Sequence, residues 1–262
     1  MFKKIIAISL FIIFTTSSYA SGGDLHLDKA PIDRNDIASL QRGAQIFVNK
    51  CLGCHSAQYL RYKTVAKDIG MVDKEGEVLV DILQKNLNFV SDKPNDNILT
   101  SMRAEDAEKW FGTAPPDLSL VARSRGVDWL YTYLRSFYRD DTRPFGVNNT
   151  VFPDVGMPHV LLEEQGMVIP SYKTLQTELG EVKVVEKIEL IQEGAVGSKA
   201  NYDKMVADLV NFLDYMGEPV KQERERIGVY VIMFLFVFTL AAYLLKREFW
   251  KDVYRNDDEN IK

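Results

Sequence analysis

The stretch Cys51-Leu52-Gly53-Cys54-His55 contains both cysteines of the chain, three positions apart, with a histidine directly after the second. This C-x-x-C-H spacing is typical of covalent attachment of a c-type haem. Two thiols one helical turn apart can form thioethers with the vinyl groups on one porphyrin edge, and the next imidazole can bind the iron as proximal ligand. The alternatives are a redox dithiol and half of a zinc site. A redox dithiol usually belongs to a βαβ unit, and zinc needs more Cys or His nearby.

The N-terminus has the pattern of a secretory signal peptide. Lys3 and Lys4 precede an apolar run from Ile5 to Phe14, and Ser18-Tyr19-Ala20 follow it. The apolar run is too short to cross a bilayer, so we predict that residues 1–20 are a signal peptide cleaved after Ala20. Because the haem would use both cysteines, no structural disulfide is available to the exported protein.

A second apolar block, IGVYVIMFLFVFTLAAYLL, occupies residues 227–245. A helix of this length spans about 28 Å, close to the thickness of a bilayer core, whereas a buried core helix rarely lacks any polar face. We therefore predict a transmembrane helix. Basic residues mark the cytoplasmic side of a span, so residues 246–262 are predicted to be a cytoplasmic tail and residues 21–226 an exported, periplasmic domain. The basic residues after the span are Lys246, Arg247 and Lys251, and the aromatic residues at the predicted interface are Phe249, Trp250 and Tyr254.

The charge of the chain favours some partners over others. The formal net charge is −5, and loss of Lys3 and Lys4 with the signal peptide makes the exported part more acidic still. An acidic face would steer a basic diffusing partner and argues against nucleic-acid binding. A generally soluble acidic surface explains the charge equally well.

Hydrophobic periodicity predicts four amphipathic helices in the exported part. Asp33 or Asn35 could cap the first, which would deliver Cys51 at its C-terminal end. We predict a polar connection over residues 91–112, and a hairpin from two extended segments around Leu179-Gly180. The predicted helices cover residues 37–48, 78–90, 127–138 and 205–216, and the predicted hairpin strands cover 172–177 and 182–191.

The sixth iron ligand decides whether a haem protein transfers electrons or binds external molecules at its iron. A Met thioether raises the reduction potential, a second His lowers it, and an open position permits catalysis or sensing. Met157 stands between Gly156 and Pro158, which bring the backbone close and stiffen it, and His159 is its main rival. The other candidates are Met71, Met102, Met167, Met205, Met216 and His26.

Together, these features resemble one family. The chain has RGAQIF at residues 42–47, CLGCHS at 51–56, APPDLS at 114–119 and GMPH at 156–159, in an exported chain with a C-terminal anchor. This order is similar to that of the cytochrome c1 family, the haem subunits of the ubiquinol–cytochrome c reductase (bc1) complex, most closely in their bacterial form. C-x-x-C-H is shared by all c-type cytochromes, and the other motifs and their order are more specific. Residues 172–198 have no counterpart that we can place.

The resemblance implies a role for each matching residue. Cys51 and Cys54 would hold haem c, with His55 as proximal and Met157 as distal ligand. Two prolines would pack along the haem edge, and an arginine, Arg125 or its neighbour Arg123, would pair with a haem propionate. The implied cofactor-binding set is Cys51, Cys54, His55, Pro115, Pro116, Arg125 and Met157, and the implied metal ligands are His55 and Met157.

The expected fold is mainly α: a class I cytochrome c-like domain with loop and hairpin insertions and one C-terminal transmembrane helix. The resemblance implies a single-pass protein of the bacterial inner membrane. It would accept electrons from the Rieske iron–sulfur protein, pack against the cytochrome b subunit and reduce a soluble or membrane-attached cytochrome c. The alternatives are a free-standing anchored cytochrome c that feeds a terminal oxidase, a haem enzyme or sensor with an open distal site, and a purely structural subunit.

Overall fold

The computed structural model describes residues 26–177 and 180–251. The predicted signal peptide, residues 252–262 of the predicted tail and residues 178–179 of the predicted hairpin lie outside them. The helices are α1 (Ile37–Ile46), α2 (Tyr62–Asp68), α3 (Val80–Asn86), α4 (Ala104–Phe111), α5 (Val121–Arg125), α6 (Val127–Arg135), α7 (Leu162–Gln165), α8 (Lys199–Gly217) and α9 (Lys221–Phe249). The strands are β1 (Ala57–Arg61), β2 (Asn97–Ile98), β3 (Phe137–Arg139), β4 (Val147–Asn149), β5 (Gly166–Thr177) and β6 (Gly180–Glu193), paired antiparallel as β1–β2, β3–β4 and β5–β6.

Helix α1 leads into the C-x-x-C-H stretch, as the sequence predicts. Its cap is Asp36, whose carboxylate accepts the Ser39 N–H at 2.9 Å. The predicted caps were wrong: the Asp33 carboxylate instead accepts the Asn35 N–H at 2.8 Å and closes the turn before the helix. The last turn widens into a π-helix over Phe47–Cys51, so the first cysteine stands at a helix end.

The core centres on the crossing of α1 and α8. An added Cβ at Gly43 would lie 2.1 Å from the Asp208 carbonyl oxygen, so only glycine permits this close approach. The Phe47 and Phe212 rings meet beside it with centroids 5.7 Å apart. Arg42 forms a bidentate pair with the Asp208 carboxylate at 2.6 and 2.9 Å. The fourth predicted helix is therefore the main packing partner of the first.

Helix α6 is shorter than predicted, because Phe137 and Tyr138 belong to a strand. Phe137 pairs with Asn149 of β4, and the buried Asn149 side chain donates to the Tyr133 carbonyl at 2.8 Å. These long-range contacts stop the helix at Arg135, although the apolar period continues past it.

The stretch predicted to be a polar connection contains β2 and helix α4. Glu105 and Asp106 occupy the first turn of α4, where carboxylates favour the helix dipole, and Gly112 ends it in a left-handed conformation. The preceding helix α3 is also shorter than predicted: it covers Val80–Asn86 rather than residues 78–90.

The predicted hairpin is present and longer than expected. Strands β5 and β6 pair from Gly166 with Glu193 to Thr177 with Gly180, with two register shifts. The base is packed tightly: a Cβ on Gly166, whose φ is +91°, would lie 2.1 Å from the Gln192 carbonyl oxygen. Val168 is buried there, whereas most of the hairpin beyond it is exposed.

Helix α9 contains the predicted span. It has 29 residues and none of them is buried, and an 18-residue window within it has a mean hydropathy of 2.4, so it is long and apolar enough to cross a membrane. Glu218, in the short link after α8, ties the start of α9 to the body. Its carboxylate binds Arg123 at 3.0 Å and Arg224 at 2.5 Å, and its carbonyl accepts from Arg34 at 2.8 Å.

Candidate haem site

The π turn at the end of α1 places the two cysteines. The N–H groups of Cys54 and His55 both donate to the Cys51 carbonyl, at 3.0 and 2.9 Å, which wraps the motif into one turn. Both thiols are free rather than joined in a disulfide, and both residues are half-buried. Burial, and less strongly the neighbouring Cys54, raise the pKa of the Cys51 thiol to about 12. The Cys51 thiol thus lacks the lowered pKa typical of the reactive cysteine in a redox dithiol.

His55 is held with one ring nitrogen available. Its Nδ1 lies 2.7 Å from the Pro116 carbonyl oxygen. A carbonyl can only accept, so Nδ1 carries the proton and Nε2 keeps its lone pair. Burial lowers the pKa of His55, which favours the neutral, metal-binding form. A backbone partner that fixes the tautomer is the usual support of a metal-binding histidine.

The APPDLS stretch forms a lining around the motif. The Leu118 N–H donates to the Ser56 carbonyl at 2.8 Å, and the Asp117 carboxylate accepts the Gln58 N–H at 2.9 Å. Pro115 is half-buried and Pro116 exposed. These bonds join two segments that are distant in the sequence and hold the Pro116 carbonyl against His55.

A further segment secures the motif from the other direction. The Thr100 hydroxyl donates to the Gly53 carbonyl at 2.9 Å, and its N–H donates to the Ser56 hydroxyl at 3.0 Å. Sequence reasoning missed Thr100, because it lies in the polar stretch taken as a connection and carries no motif.

Met157 is half-buried against the core, and its sulfur accepts a hydrogen bond from the Tyr133 hydroxyl at 3.4 Å. The Tyr133 ring is fixed between two others: it stacks on Trp129 at 4.8 Å and meets Phe137 edge-on at 5.2 Å. Burial raises the pKa of Tyr133, so its hydroxyl stays a donor. The helical spacing of these aromatic residues is visible in the sequence, but the bond to Met157 is not.

His159, the rival ligand, is engaged with other groups. Its ring stacks on Phe137 with centroids 4.6 Å apart, and its Nε2 lies 2.6 Å from the Gln165 side-chain oxygen. Burial lowers the pKa of His159 to about 4, so the ring is neutral at physiological pH.

The other candidates lie in different surroundings. Met216 is buried in the core, and Met71 and Met205 pack against it. Met102 is half-buried in the loop before α4. Met167 lines a cavity of about 160 Å³ beside the hairpin base. The His26 side chain is 91% exposed and lies 3.5 Å from Asp28.

Comparisons with known proteins show the family of the chain. The model of the Cytochrome C1 family matches residues 27–253. The chain belongs to the cytochrome c1 family. Cytochrome c1 from Allochromatium vinosum is 50% identical over 256 residues, which cover 96% of this chain and 100% of that protein. The ammonia monooxygenase gamma subunit of Nitrosomonas europaea is 42% identical, covering 90% of this chain and 93% of that protein. Cytochrome b/c1 of Bradyrhizobium diazoefficiens is 25% identical, covering 85% of this chain and 34% of that protein.

Membership in the cytochrome c1 family confirms three predictions. The fold is cytochrome c-like and mainly α with one long apolar C-terminal helix, the cofactor is covalently bound haem c, and the chain is an electron-transfer protein. The residues present fit this cofactor. They supply two free thiols, one imidazole with a fixed tautomer and one thioether, which is the donor set of a c-type haem.

The two arginines considered as propionate partners of the cytochrome c1 haem have different surroundings. Arg123 pairs with Glu218. The Arg125 guanidinium lies over the Trp129 ring at 5.2 Å and near the Phe152 ring at 6.0 Å. Within residues 26–177 and 180–251, Arg125 makes no ion pair with a carboxylate, so its charge is available to another anion.

Proposed function

We propose that this chain is the haem subunit of a ubiquinol–cytochrome c reductase (bc1) complex. It would accept electrons from the Rieske iron–sulfur protein and pass them to a soluble or membrane-attached c-type cytochrome. When bound, haem c supplies an iron that changes its charge by one electron. The observation that carries the proposal is the donor set, in which the His55 tautomer is fixed by the Pro116 carbonyl and Met157 is held by Tyr133.

Each residue has a defined role in this proposal. Cys51 and Cys54 would form the thioethers, and His55 Nε2 and Met157 Sδ would bind the iron. Pro115 and Pro116 would pack along the haem edge. Two protein ligands leave no coordination position for a substrate, so the subunit would do no substrate chemistry on its own.

Arg125 is the proposed propionate partner. Its guanidinium is stacked rather than paired with a carboxylate, whereas Arg123 is committed to Glu218. A guanidinium near a propionate offsets negative charge and contributes to a higher reduction potential.

The proposed topology is a single pass through the bacterial inner membrane. Residues 1–20 would be removed as the signal peptide, residues 21–226 would form the periplasmic haem domain, residues 227–245 would span the membrane and residues 246–262 would lie in the cytoplasm. The exposed apolar surface of α9 supports this arrangement. The span would pack against the cytochrome b subunit, and the relative named cytochrome b/c1 supports that partner.

A redox titration of Met157→Leu tests the ligand assignment. Replacing the thioether should lower the midpoint potential, since a Met ligand favours the reduced iron. Tyr133→Phe should act in the same direction but less strongly. Without the hydroxyl the sulfur donates better to oxidised iron, and a hydrogen bond of ordinary strength corresponds to a shift of roughly threefold to tenfold in the oxidised-to-reduced ratio. An unchanged spectrum and midpoint in Met157→Leu would overturn the assignment.

Other measurements separate the alternatives. Purification with a cytochrome b favours the complex over a free-standing cytochrome c that feeds an oxidase. Binding of carbon monoxide or cyanide at neutral pH without unfolding would favour a haem enzyme or sensor. A haem-free Cys51→Ala variant that still supports quinol oxidation would favour a structural subunit.

A further inference from the structure

Helix α7, a single turn over Leu162–Gln165, contacts both ligand-bearing segments. Its Glu164 carboxylate lies 2.5 Å from the Lys50 Nζ, and Glu163 lies 3.6 Å from the same nitrogen. Lys50 directly precedes Cys51 in the π turn. The carboxylates of α7 therefore bind the chain next to the proximal motif.

The next residue of α7 fixes the distal side. The Gln165 amide nitrogen donates to the Arg135 carbonyl at 3.3 Å, and its oxygen accepts from His159 Nε2 at 2.6 Å. His159 lies two residues after Met157 and stacks on Phe137. Any movement of α7 would thus move the segment that carries Met157.

The ion pair to Lys50 is shielded on the carboxylate side. The Glu164 side chain is 13% exposed and that of Lys50 31%. The second carboxylate oxygen of Glu164 is buried and has no hydrogen-bond partner among the described residues. The α7 backbone is itself held, because the Ala195 N–H donates to the Glu163 carbonyl at 2.7 Å. Among the described residues, Lys50 is therefore the only ion-pair partner of this partly buried carboxylate.

We propose that Lys50 and Glu164 are positioning residues, an ion-pair clasp that holds the Met157 segment against the Cys51–His55 motif and keeps outside ligands from the iron. The inference rests on the proposed function in one respect, namely that Met157 is the distal ligand. If the clasp is removed, the Met157 segment should separate from the motif more often, because removing one partner of a shielded pair strands the charge of the other.

The test measures imidazole binding to the oxidised haem by absorbance, in the full-length, detergent-solubilised haem protein. Lys50→Met removes the ammonium and keeps most of the aliphatic stem, and we expect imidazole to bind about tenfold faster than to the parent. Lys50→Arg should keep the parental rate. Lys187→Met is the matched control, since Lys187 pairs with Glu189 on the exposed hairpin, and it should change nothing.

The double variant Lys50→Met/Glu164→Gln separates the effect of the unpaired Glu164 charge from the loss of the Lys50 contact. It leaves no stranded carboxylate, so its rate should lie between those of the parent and Lys50→Met. Hydrogen exchange of residues 153–165 supplies a second readout and should increase in Lys50→Met. If Lys50→Met fails to accumulate, the same two measurements on Glu164→Gln decide.

The two proposals fail in different ways. If Met157→Leu binds imidazole readily while Lys50→Met binds it no faster than Lys187→Met does, the clasp is overturned and the ligand assignment stands. If Met157→Leu binds imidazole no faster than the parent, Met157 is not the ligand that guards the iron, and the proposed function must be revised.

Discussion

Helices α8 and α9 follow each other with only Glu218-Pro219-Val220 between them, yet their surroundings are opposite. Most of α8 is buried, including Val206, Leu209 and Phe212, whereas no residue of α9 is buried. Both helices are rich in apolar residues, so composition alone does not separate a core helix from a membrane helix.

The polar residues explain the difference. On α8, Asp203, Asp208, Asn211 and Asp214 each bind a defined partner elsewhere in the body, among them Arg135, Arg42 and Arg34. On α9 no charged residue interrupts positions 227–245. A helix whose acidic and amide side chains bind partners in the body can pack in an aqueous domain, whereas a central run of 19 residues without a charge favours an apolar solvent.

The largest expected effect on stability comes from adding a side chain at Gly43. In Gly43→Ala the new Cβ would meet the Asp208 backbone oxygen at 2.1 Å, so α1 and α8 must separate. We expect a loss of more than about 5 kcal/mol in the free energy of unfolding, because the clash is with backbone and cannot be relieved by a side-chain rotation, and little haem-bearing protein on a haem-stained gel. Gly228→Ala is the control on α9, where an added Cβ meets nothing within 4 Å. Equal accumulation of both variants would contradict the packing described here.

A smaller effect is expected from truncating one ring on each helix. Phe212 is 1% exposed and contacts Phe47, so Phe212→Ala should cost about 3–5 kcal/mol. Phe234 is 66% exposed and contacts only Phe238 among the described aromatic rings. Phe234→Ala should therefore change the free energy of unfolding of the haem domain by less than about 0.5 kcal/mol. Thermal unfolding in detergent, followed through the haem absorbance, compares them. Similar losses in the two variants would mean that α9 is part of the core.

The smallest expected effect is a dependence of stability on pH through α8. Burial opposes ionisation of Asp203, but the bonds from Arg135 and Lys199 outweigh it, so the pKa of Asp203 is lowered. The unfolded chain then binds the proton more readily than the folded one. The contribution is present above the ordinary pKa of aspartate, about 4, and is lost as pH falls through the lowered folded value.

Asp203→Asn checks this assignment. The variant should be less stable at neutral pH, and its unfolding should depend less on pH below about 5. The parent and the variant are compared by denaturant unfolding across this range. Parallel pH profiles would assign the dependence to other carboxylates.

Much of the molecule was predictable because it follows from local patterns. Four features each have their signal in one continuous stretch of the sequence: the haem motif, helix α1, the hairpin and the apolar helix α9. Helix α4 is not predicted, although Glu105, Asp106 and Gly112 mark its ends. The turn-forming residues before it favour a loop, and the prediction extends this loop over all of residues 91–112. These residues would have been sufficient to find it.

The remaining features depend on contacts between distant parts of the chain. Pairing with Asn149 turns Phe137 into a strand residue, and nothing adjacent in the sequence announces it. The bonds of Tyr133 to Met157 and of Lys50 to Glu164 are likewise known only once the chain is folded. The choice between Arg123 and Arg125 also depends on such a contact, because Glu218, which pairs with Arg123, lies 95 residues later in the sequence.

The joint at Glu218 has a consequence for how electrons would travel. Glu218 binds Arg34 and Arg123 of the body and Arg224 of α9, so a single residue connects the body to the start of α9. A domain connected in this way would keep a constant height and tilt relative to a bilayer that α9 spans. Under the proposed function, the donor and the acceptor would then have to approach the haem domain, and their reach, rather than a rotation of this subunit, would set the distance over which electrons are transferred.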